Sequence, residues 1–361
     1  MFDGESYKWE VEMCLKLLRA ALTDVAPDEE LFASLTDEQW RKIYFASVAH
    51  GVATLVRDGW LMLDEEHFPP SQVRVTWAFD AQKTERKYAE KWKAFMSLHS
   101  FLRSNGIDYI LLKGFTTAAF YPIPHHRDCG DIDIFSFQHD EIDELMMQKG
   151  IAFEESGCDE KHTLFFWEKV PVENHILISY EKRLKSREKV TDKYTNILAT
   201  TKRKQYICGP KGEQVEVGAV PASILFPYNA YHIVGHYTWQ TVTMRHLTDW
   251  YVMRKHVSEE GAEYPESVAL YVGVMDELTE HYFEGSTKPL GTLAQKYVQS
   301  VYSVQCVPEK VDLKFYFNLP KRWRHFKQRY QKYSSLAPED RATVWDIVGD
   351  LWHRYVLQRK D

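Results

Sequence analysis

Two aspartates separated by one residue, Asp131 and Asp133 in Gly130-Asp131-Ile132-Asp133-Ile134-Phe135, are the residues of this 361-residue chain best placed to do chemistry. The segment alternates polar and apolar, as a half-buried strand does, so both carboxylates project from one face while Ile132 and Ile134 anchor the other. Held side by side they repel, and burying them unpaired is costly. A divalent cation removes the conflict: Mg²⁺ takes hard oxygen ligands, commonly one or two carboxylates, with water and substrate phosphate completing its shell. A D-x-D at a strand end is more often solvated or paired with arginine, so its surroundings decide the matter. Here Lys113-Gly114 precedes the pair and Arg127 lies between them. Glycine lets backbone approach a triphosphate closely, and the two cations balance its charge.

The elements that must hold these residues are legible from periodicity. Tyr7, Val11, Cys14, Leu15 and Leu18 mark a first helix, and a second is expected from about Asp37 to Ala53, with Thr36 or Asp37 as N-cap. Tyr88, Trp92, Phe95, Leu98 and Leu102 mark a third, stopped by Asn105-Gly106. After it come a buried strand over 107–112, one or two helical turns in 115–121 ended by Pro122 and Pro124, and the Asp131/Asp133 strand. A helix over 139–149 follows, then strands over 162–168 and 170–178 joined by a tight turn. A short β pair near 206–208 and 214–217 flanks Gly209-Pro210-Lys211-Gly212. Helices are expected again over 221–237, 243–256, 289–303 and 339–357. The fold class is therefore α+β: a mixed sheet core over residues 85–218, flanked by helical regions over 1–84 and 219–361.

Composition limits the partners. With 45 Lys+Arg against 52 Asp+Glu the net charge is −7, which speaks against a chain-wide polyanion-binding field. No run approaches the roughly 18 apolar residues of a membrane span. The first residues lack a basic stretch followed by an apolar one, so no signal peptide is expected. The five cysteines, Cys14, Cys129, Cys158, Cys208 and Cys306, are scattered and never spaced as CxxC, which argues against a disulfide framework or structural zinc. A reduced, cytoplasmic protein is the expectation.

The central segment LLKGFTTAAFYPIPHHRDCGDIDIF resembles the nucleotidyltransferase superfamily, the DNA polymerase β-like fold, and within it the uncharacterised nucleotidyltransferases. That group shows a strand ending in Leu-Lys-Gly, a short helix with Tyr-Pro, then Arg and a Gly-Asp-Ile-Asp strand. The chain matches with Leu112-Lys113-Gly114, Tyr121-Pro122, Arg127 and Gly130-Asp131-Ile132-Asp133. The family's later strand with Glu, one residue, then His fits Glu173-Asn174-His175, and the resemblance extends over roughly residues 85–255. It implies a nucleotidyltransferase-type core in which Asp131, Asp133 and Glu173 are catalytic and hold Mg²⁺ or Mn²⁺. Lys113, Gly114, Thr116, Arg127, His236 and Arg245 then bind a nucleoside triphosphate, with ATP the expected one, and AMP passes to a small molecule, protein or RNA. Where the superfamily usually has Gly-Ser or Gly-Gly, this chain has Gly114-Phe115, leaving Thr116 or Thr117 as the nearest hydroxyls.

Two further patterns admit a functional and a structural reading. His232 and His236 share one helix face, and Arg245 and Asp249 have the same spacing on the next helix. They belong either beside the nucleotide or to packed histidines and an intrahelical salt bridge. In the tract 321–333, Trp323, Phe326, Tyr330 and Tyr333 interleave with Lys321, Arg322, Arg324, Lys327, Arg329 and Lys332. Such a stripe either contacts an acceptor or docks on its own protein with its cations snorkelling outward. The alternatives to a transferase are a degenerate member that binds nucleotide or a partner without catalysis, and a metal-dependent phosphohydrolase using His232 and His236.

Overall fold

The computed structural model describes residues 7–23, 25–154, 160–179, 181, 184–239, 241–258, 264–304 and 319–341. Four helices lead the chain: α1 (Lys8–Thr23), α2 (Asp37–Ala49), α3 (Ala53–Trp60) and α4 (Ser71–Ser104). Then come β1 (Ile110–Leu111), α5 (Phe115–Ala118), β2 (Ile132–Phe135), α6 (His139–Gln148), β3 (His162–Trp167) and β4 (Val170–His175). They are followed by α7 (Arg187–Thr200), β5 (Arg203–Cys208) and β6 (Gln214–Ala219). Then follow α8 (Ala222–Trp239), α9 (Met244–His256), α10 (Glu266–Phe283), α11 (Thr292–Tyr302) and α12 (Leu319–Ser334). No helix among the described residues is long and apolar enough to cross a membrane.

Local chemistry explains most of these boundaries. Thr36 is the N-cap of α2, in a reciprocal box with Gln39. Gly51, at φ +67°, ends that region before α3, so the second helix is shorter than its apolar pattern predicts. Gly106, at φ +74°, stops α4 where Asn105-Gly106 predicts. α4 itself begins 17 residues before Tyr88, at Ser71, because its first half is amphipathic only through Val73, Trp77 and Ala81. Glu168 and Lys169, both at positive φ, form the two-residue turn between β3 and β4. Strand β1 is shorter than the run 107–112 because Ile107 N–H closes α4 on Leu102 O and Asp108 N–H goes to Gln138 Oε1.

The six strands form one sheet in the order β3-β4-β2-β1-β6-β5. β2 pairs parallel with β4 and antiparallel with β1, and β1 pairs parallel with β6; the outer pairs β3/β4 and β5/β6 are antiparallel hairpins. Among the described residues two apolar cores hold the chain. One lies around the sheet and takes Tyr88, Trp92, Phe95, Leu98 and Leu102 from the second half of α4. The other takes Val73 and Trp77 from the first half of α4 and joins α1–α3 to α8–α11. The boundary expected at residue 84 falls inside α4. Helices α3, α7 and α10 have no counterpart in the periodicity analysis, the last because Val268, Val272, Gly273 and Val274 are poor helix formers. The helix expected over 339–357 lies outside the described residues from position 342.

The N-terminal helices are bonded to the C-terminal ones through His50, the C-cap of α2, whose Nδ1 accepts the Met244 N–H at the start of α9 (3.1 Å). Burial pulls its pKa from 6.5 down to about 3. Between those values the unfolded chain binds a proton the folded one refuses, so this contribution to stability is complete above pH 6.5 and declines as pH falls. The slope is at most about 1.4 kcal/mol per pH unit. Urea midpoints measured between pH 7 and pH 5 should fall more steeply for the wild type than for His50→Asn, whose amide oxygen can accept the same N–H. Equal slopes would show that His50 does not govern the acid side of stability.

Candidate active site

Strand β1 delivers Lys113 and Gly114 to one end of the sheet, and Leu112 N–H continues the pairing by donating to Asp133 O at 2.9 Å. Gly114 has φ +73° and ψ −105°, a conformation that a side chain would strain, and it turns the chain into α5. A Cβ there would make only an ordinary contact with Asp131 O, at 3.7 Å, so the backbone conformation and not crowding calls for glycine. Phe115 points away into the sheet core, with its ring centroid 5.1 Å from Tyr88, 5.6 Å from Trp92 and 5.4 Å from Phe95. The residue that replaces the superfamily's small one is thus an anchor for α5 and leaves the cleft open.

Parallel pairing sets Asp133 of β2 directly beside Glu173 of β4. Asp133 is buried, with Lys113 Nζ at 3.1 Å and His175 Nε2 at 3.3 Å from Oδ1. His175 Nε2 also lies 3.1 Å from Glu173 Oε2, and His162 Nε2 lies 3.7 Å from Glu173 Oε1. Burial alone drives the Asp133 carboxyl up, but the Lys113 ammonium and the His175 hydrogen bond outweigh it and hold it well below the usual carboxylate range. Burial also pulls Lys113 down, and the neighbouring Asp133 overcomes that, so both partners stay charged. Asp131, exposed at the mouth, is raised by partial desolvation and then by Glu173 and Asp133. Three carboxylates therefore share one end of the sheet, and Asp131 feels both of the others.

The loop between Gly114 and Asp131 is fastened to the helical layer by Arg127. Its guanidinium meets the Asp249 carboxylate of α9 at two points (Nε to Oδ1 2.6 Å, Nη2 to Oδ2 2.7 Å), and Nη1 reaches Gly114 O at 3.4 Å. The Tyr121 hydroxyl lies between Thr248 Oγ1 (2.8 Å) and Asp249 Oδ1 (2.7 Å). Asp249 is thereby committed to Arg127 and Tyr121, and Arg245 Nη1 donates instead to the Asp128 carbonyl at 3.4 Å. The i,i+4 pair suggested by the sequence gives way to a long-range one. Lys91 of α4 donates to Cys129 O in the same loop.

These elements enclose a cleft of about 230 Å³ lined by Lys113, Gly114, Thr117, Arg127, Asp131 and Asp133 on one side. The other side is Asn229, His232, His236, Arg245, His246 and Asp249 of α8 and α9. The structure thus brings Lys113, Gly114, Arg127, His236 and Arg245 to one hollow with the two aspartates, and places Glu173 against Asp133. Thr116 does not line it: its carbonyl accepts from Gln205 Nε2 at 2.6 Å, and Thr117 faces the cleft instead. His232 and His236 approach at 3.1 Å through their Nε2 atoms, and His232 Nδ1 lies 3.3 Å from Glu181 Oε1. Desolvation, followed by Lys113 for His232 and by His236 for His246, pushes both imidazoles well below their usual pKa, so they are neutral at pH 7. His246, Asn229 and Lys91 escaped the sequence reading because no local spacing links them to the D-x-D. A larger hollow of about 720 Å³ lies at the opposite end of β1 and β2, lined by Arg103, Tyr109, Phe137 and Lys202, and holds none of these residues.

In the tract 321–333, Tyr333 and Arg329 are buried and Tyr330 is exposed. The Lys332 ammonium stands 5.3 Å from the Tyr237 ring centroid, and desolvation and then Arg329 bring it down to about 8. This end of α12 docks on α8, while the side chains of 321–326 lie outside the described residues.

A mixed sheet carrying a D-x-D strand beside a Lys-Gly turn, with helices closing the cleft, is the arrangement that the resemblance implies. The profile of the family described as Uncharacterised nucleotidyltransferase matches residues 36–269, more than half of the chain, and the chain belongs to that family. The membership supports nucleotidyl transfer as the general function and implies a nucleotide substrate. No curated protein and no solved structure matches.

The buried Arg127–Asp249 pair sets the height of the loop over the sheet. Asp249→Asn leaves a buried guanidinium without its counter-charge and should cost about 3 kcal/mol or more in urea unfolding. Arg127→Lys should recover little, since an ammonium cannot reproduce two parallel hydrogen bonds. Unfolding free energies within about 0.5 kcal/mol of wild type in both variants would remove the pair from its fastening role.

Proposed function

We propose that the chain transfers a nucleoside monophosphate, AMP from ATP, to an acceptor hydroxyl, using Mg²⁺ or Mn²⁺ held by Asp131, Asp133 and Glu173. The observation that carries this reading is the meeting of three carboxylates beside the Gly114 turn, Asp133 on β2, Glu173 on the adjacent β4 and Asp131 just before β2, at the edge of a cleft lined by Lys113 and Arg245. The residues fit the ion: the donors are hard carboxylate oxygens, and the charge of Glu173 and Asp133, which adds to desolvation in raising Asp131, is what a divalent cation would neutralise. When bound, the ion polarises the α-phosphate and offsets the charge of the leaving pyrophosphate.

The chain's own groups supply the rest. Lys113 is already an ammonium against Asp133, and neutralising that carboxylate from another side frees Lys113 to turn to a phosphate oxygen. The Gly114 turn offers backbone where a side chain would obstruct the triphosphate, with the Thr117 hydroxyl beside it. Arg127 keeps the turn and the aspartate strand in register, acting on position and leaving phosphate contact to Lys113 and Arg245. The acceptor oxygen attacks the α-phosphorus, the bond to the β-phosphate bridging oxygen breaks, and pyrophosphate leaves. The acceptor proton passes to a carboxylate of the cluster, Glu173 being the one held beside Asp133. Neutral His232 and His246, with His236 between them, line the opposite wall, where they can hydrogen-bond nucleotide or acceptor.

Purified full-length protein incubated with α-labelled nucleoside triphosphates and Mg²⁺, in the presence of RNA, protein and small-molecule fractions, should release pyrophosphate and label one fraction. Asp131→Asn and Asp133→Asn should each lower the rate by about a hundredfold or more, the scale of losing a charge-stabilising group at the reacting centre. Glu173→Gln should follow, and Lys113→Ala should raise the KM for nucleotide. Nucleotide binding that leaves every fraction unlabelled would identify a catalytically silent binder. Labelling that survives Asp133→Asn would sink the assignment of the metal site.

A further inference from the structure

The two ring nitrogens of His175 stand in opposite circumstances. Nε2 faces two carboxylates at once, 3.3 Å from Asp133 Oδ1 and 3.1 Å from Glu173 Oε2. Nδ1 is buried and has no hydrogen-bond partner among the described residues. A neutral imidazole has one N–H to place. On Nδ1 it would be a buried, unsatisfied donor, and the Nε2 lone pair would confront two carboxylate oxygens. On Nε2 it is shared between both oxygens and only a lone pair goes unused, the cheaper omission. The proton therefore sits on Nε2.

The strands explain how one ring reaches both acids. Glu173 and His175 are two apart on β4 and share a face, and β2 lies parallel alongside with Asp133 opposite Glu173. We propose that His175 is a positioning residue: its Nε2–H clips Asp133 to Glu173 and holds the two carboxylates together before any cation arrives. The proposal rests on reading these acids as the metal-binding set. Without a bridging donor the carboxylates of adjacent strands would repel and turn apart, and each metal-binding event would have to gather them again.

A competing chemistry is written in the same residues. One donor atom each from His162, Glu173 and His175 can be chosen so that all lie within 4.8 Å, a span open to an imidazole-binding ion such as Zn²⁺. A ligating imidazole, however, passes its other N–H to an acceptor that orients it, and His175 Nδ1 has none. The ring is built to donate from Nε2, so the geometry favours the clip over the ligand.

Two measurements on the full-length chain test this. In protein labelled with ¹⁵N-histidine, long-range ¹⁵N–¹H correlations, with His175→Gln for assignment, should show the Nε2–H tautomer for His175; an Nδ1–H tautomer overturns the clip. Mn²⁺ binding followed by the free-ion electron paramagnetic resonance signal should weaken about 10- to 100-fold in His175→Ala, the usual effect of losing a group that orients a metal ligand. His175→Phe, which keeps a ring and loses the donor, should weaken equally, and His175→Gln, which keeps an N–H at similar reach, should stay within a few-fold of wild type. Melting curves confirm that each variant is folded. Wild-type Mn²⁺ affinity in folded His175→Ala and His175→Phe overturns the clip while leaving the transferase reading intact. Absence of Mn²⁺ binding in the wild type, with or without ATP, overturns the metal reading and the clip with it. Stoichiometric Zn²⁺ lost from both His162→Ala and His175→Ala makes the histidines ligands and also overturns the clip.

Discussion

Like charge held in one place is the constraint around which this protein is arranged. Asp131, Asp133 and Glu173 are brought to one end of the sheet by strand order and register. Bringing them there is unfavourable unless cations and hydrogen-bond donors come too. Lys113 arrives from the adjacent β1 and His175 from the same strand as Glu173, so the countermeasures are supplied by the elements that create the problem. Asp133 is secured by both and its pKa falls, while Asp131 lies farther out and its pKa rises. That asymmetry suits a pair in which one carboxylate is fixed and the other still has charge to share.

The helical layer is the second half of the same arrangement. A sheet edge with three acids and one lysine would be an open acidic surface. Helices α8 and α9 turn it into a cleft by laying Arg245, neutral His232 and neutral His246 across it. The two halves are joined by buried Arg127 and by Asp249, with Tyr121 completing the carboxylate's bonds. Because Arg127 also reaches Gly114 O, the pair transmits the position of α9 to the glycine turn.

Much of this was readable from residue order, and the parts that were not have a common cause. Strand alternation put Asp131 and Asp133 on one face, and the Gly106 and Gly114 turns, the Thr36 cap and the β3–β4 turn follow from local stereochemistry that a sequence carries directly. Pairings between distant residues are not carried that way. Arg245 and Asp249 look like an i,i+4 bridge, yet a buried bidentate partner 122 residues away takes the aspartate. Thr116 and Thr117 are indistinguishable by composition, and the direction of one helical turn decides which faces the cleft. His246 enters the site only because α9 crosses α8. Phe115 stands where the superfamily has a small residue, and only the packing of distant Tyr88, Trp92 and Phe95 around it gives the ring its place.

Helix α4 has a consequence for how the chain can be divided. At 34 residues it extends roughly 50 Å, with Val73 and Trp77 seated in one apolar mass and Tyr88 through Leu102 in the other. Melting either end strips a wall from the mass at that end and loosens the rod on which the other depends. The half that carries the cleft is therefore not a portable cassette: a fragment opening at residue 85 would begin inside the beam that both halves lean on.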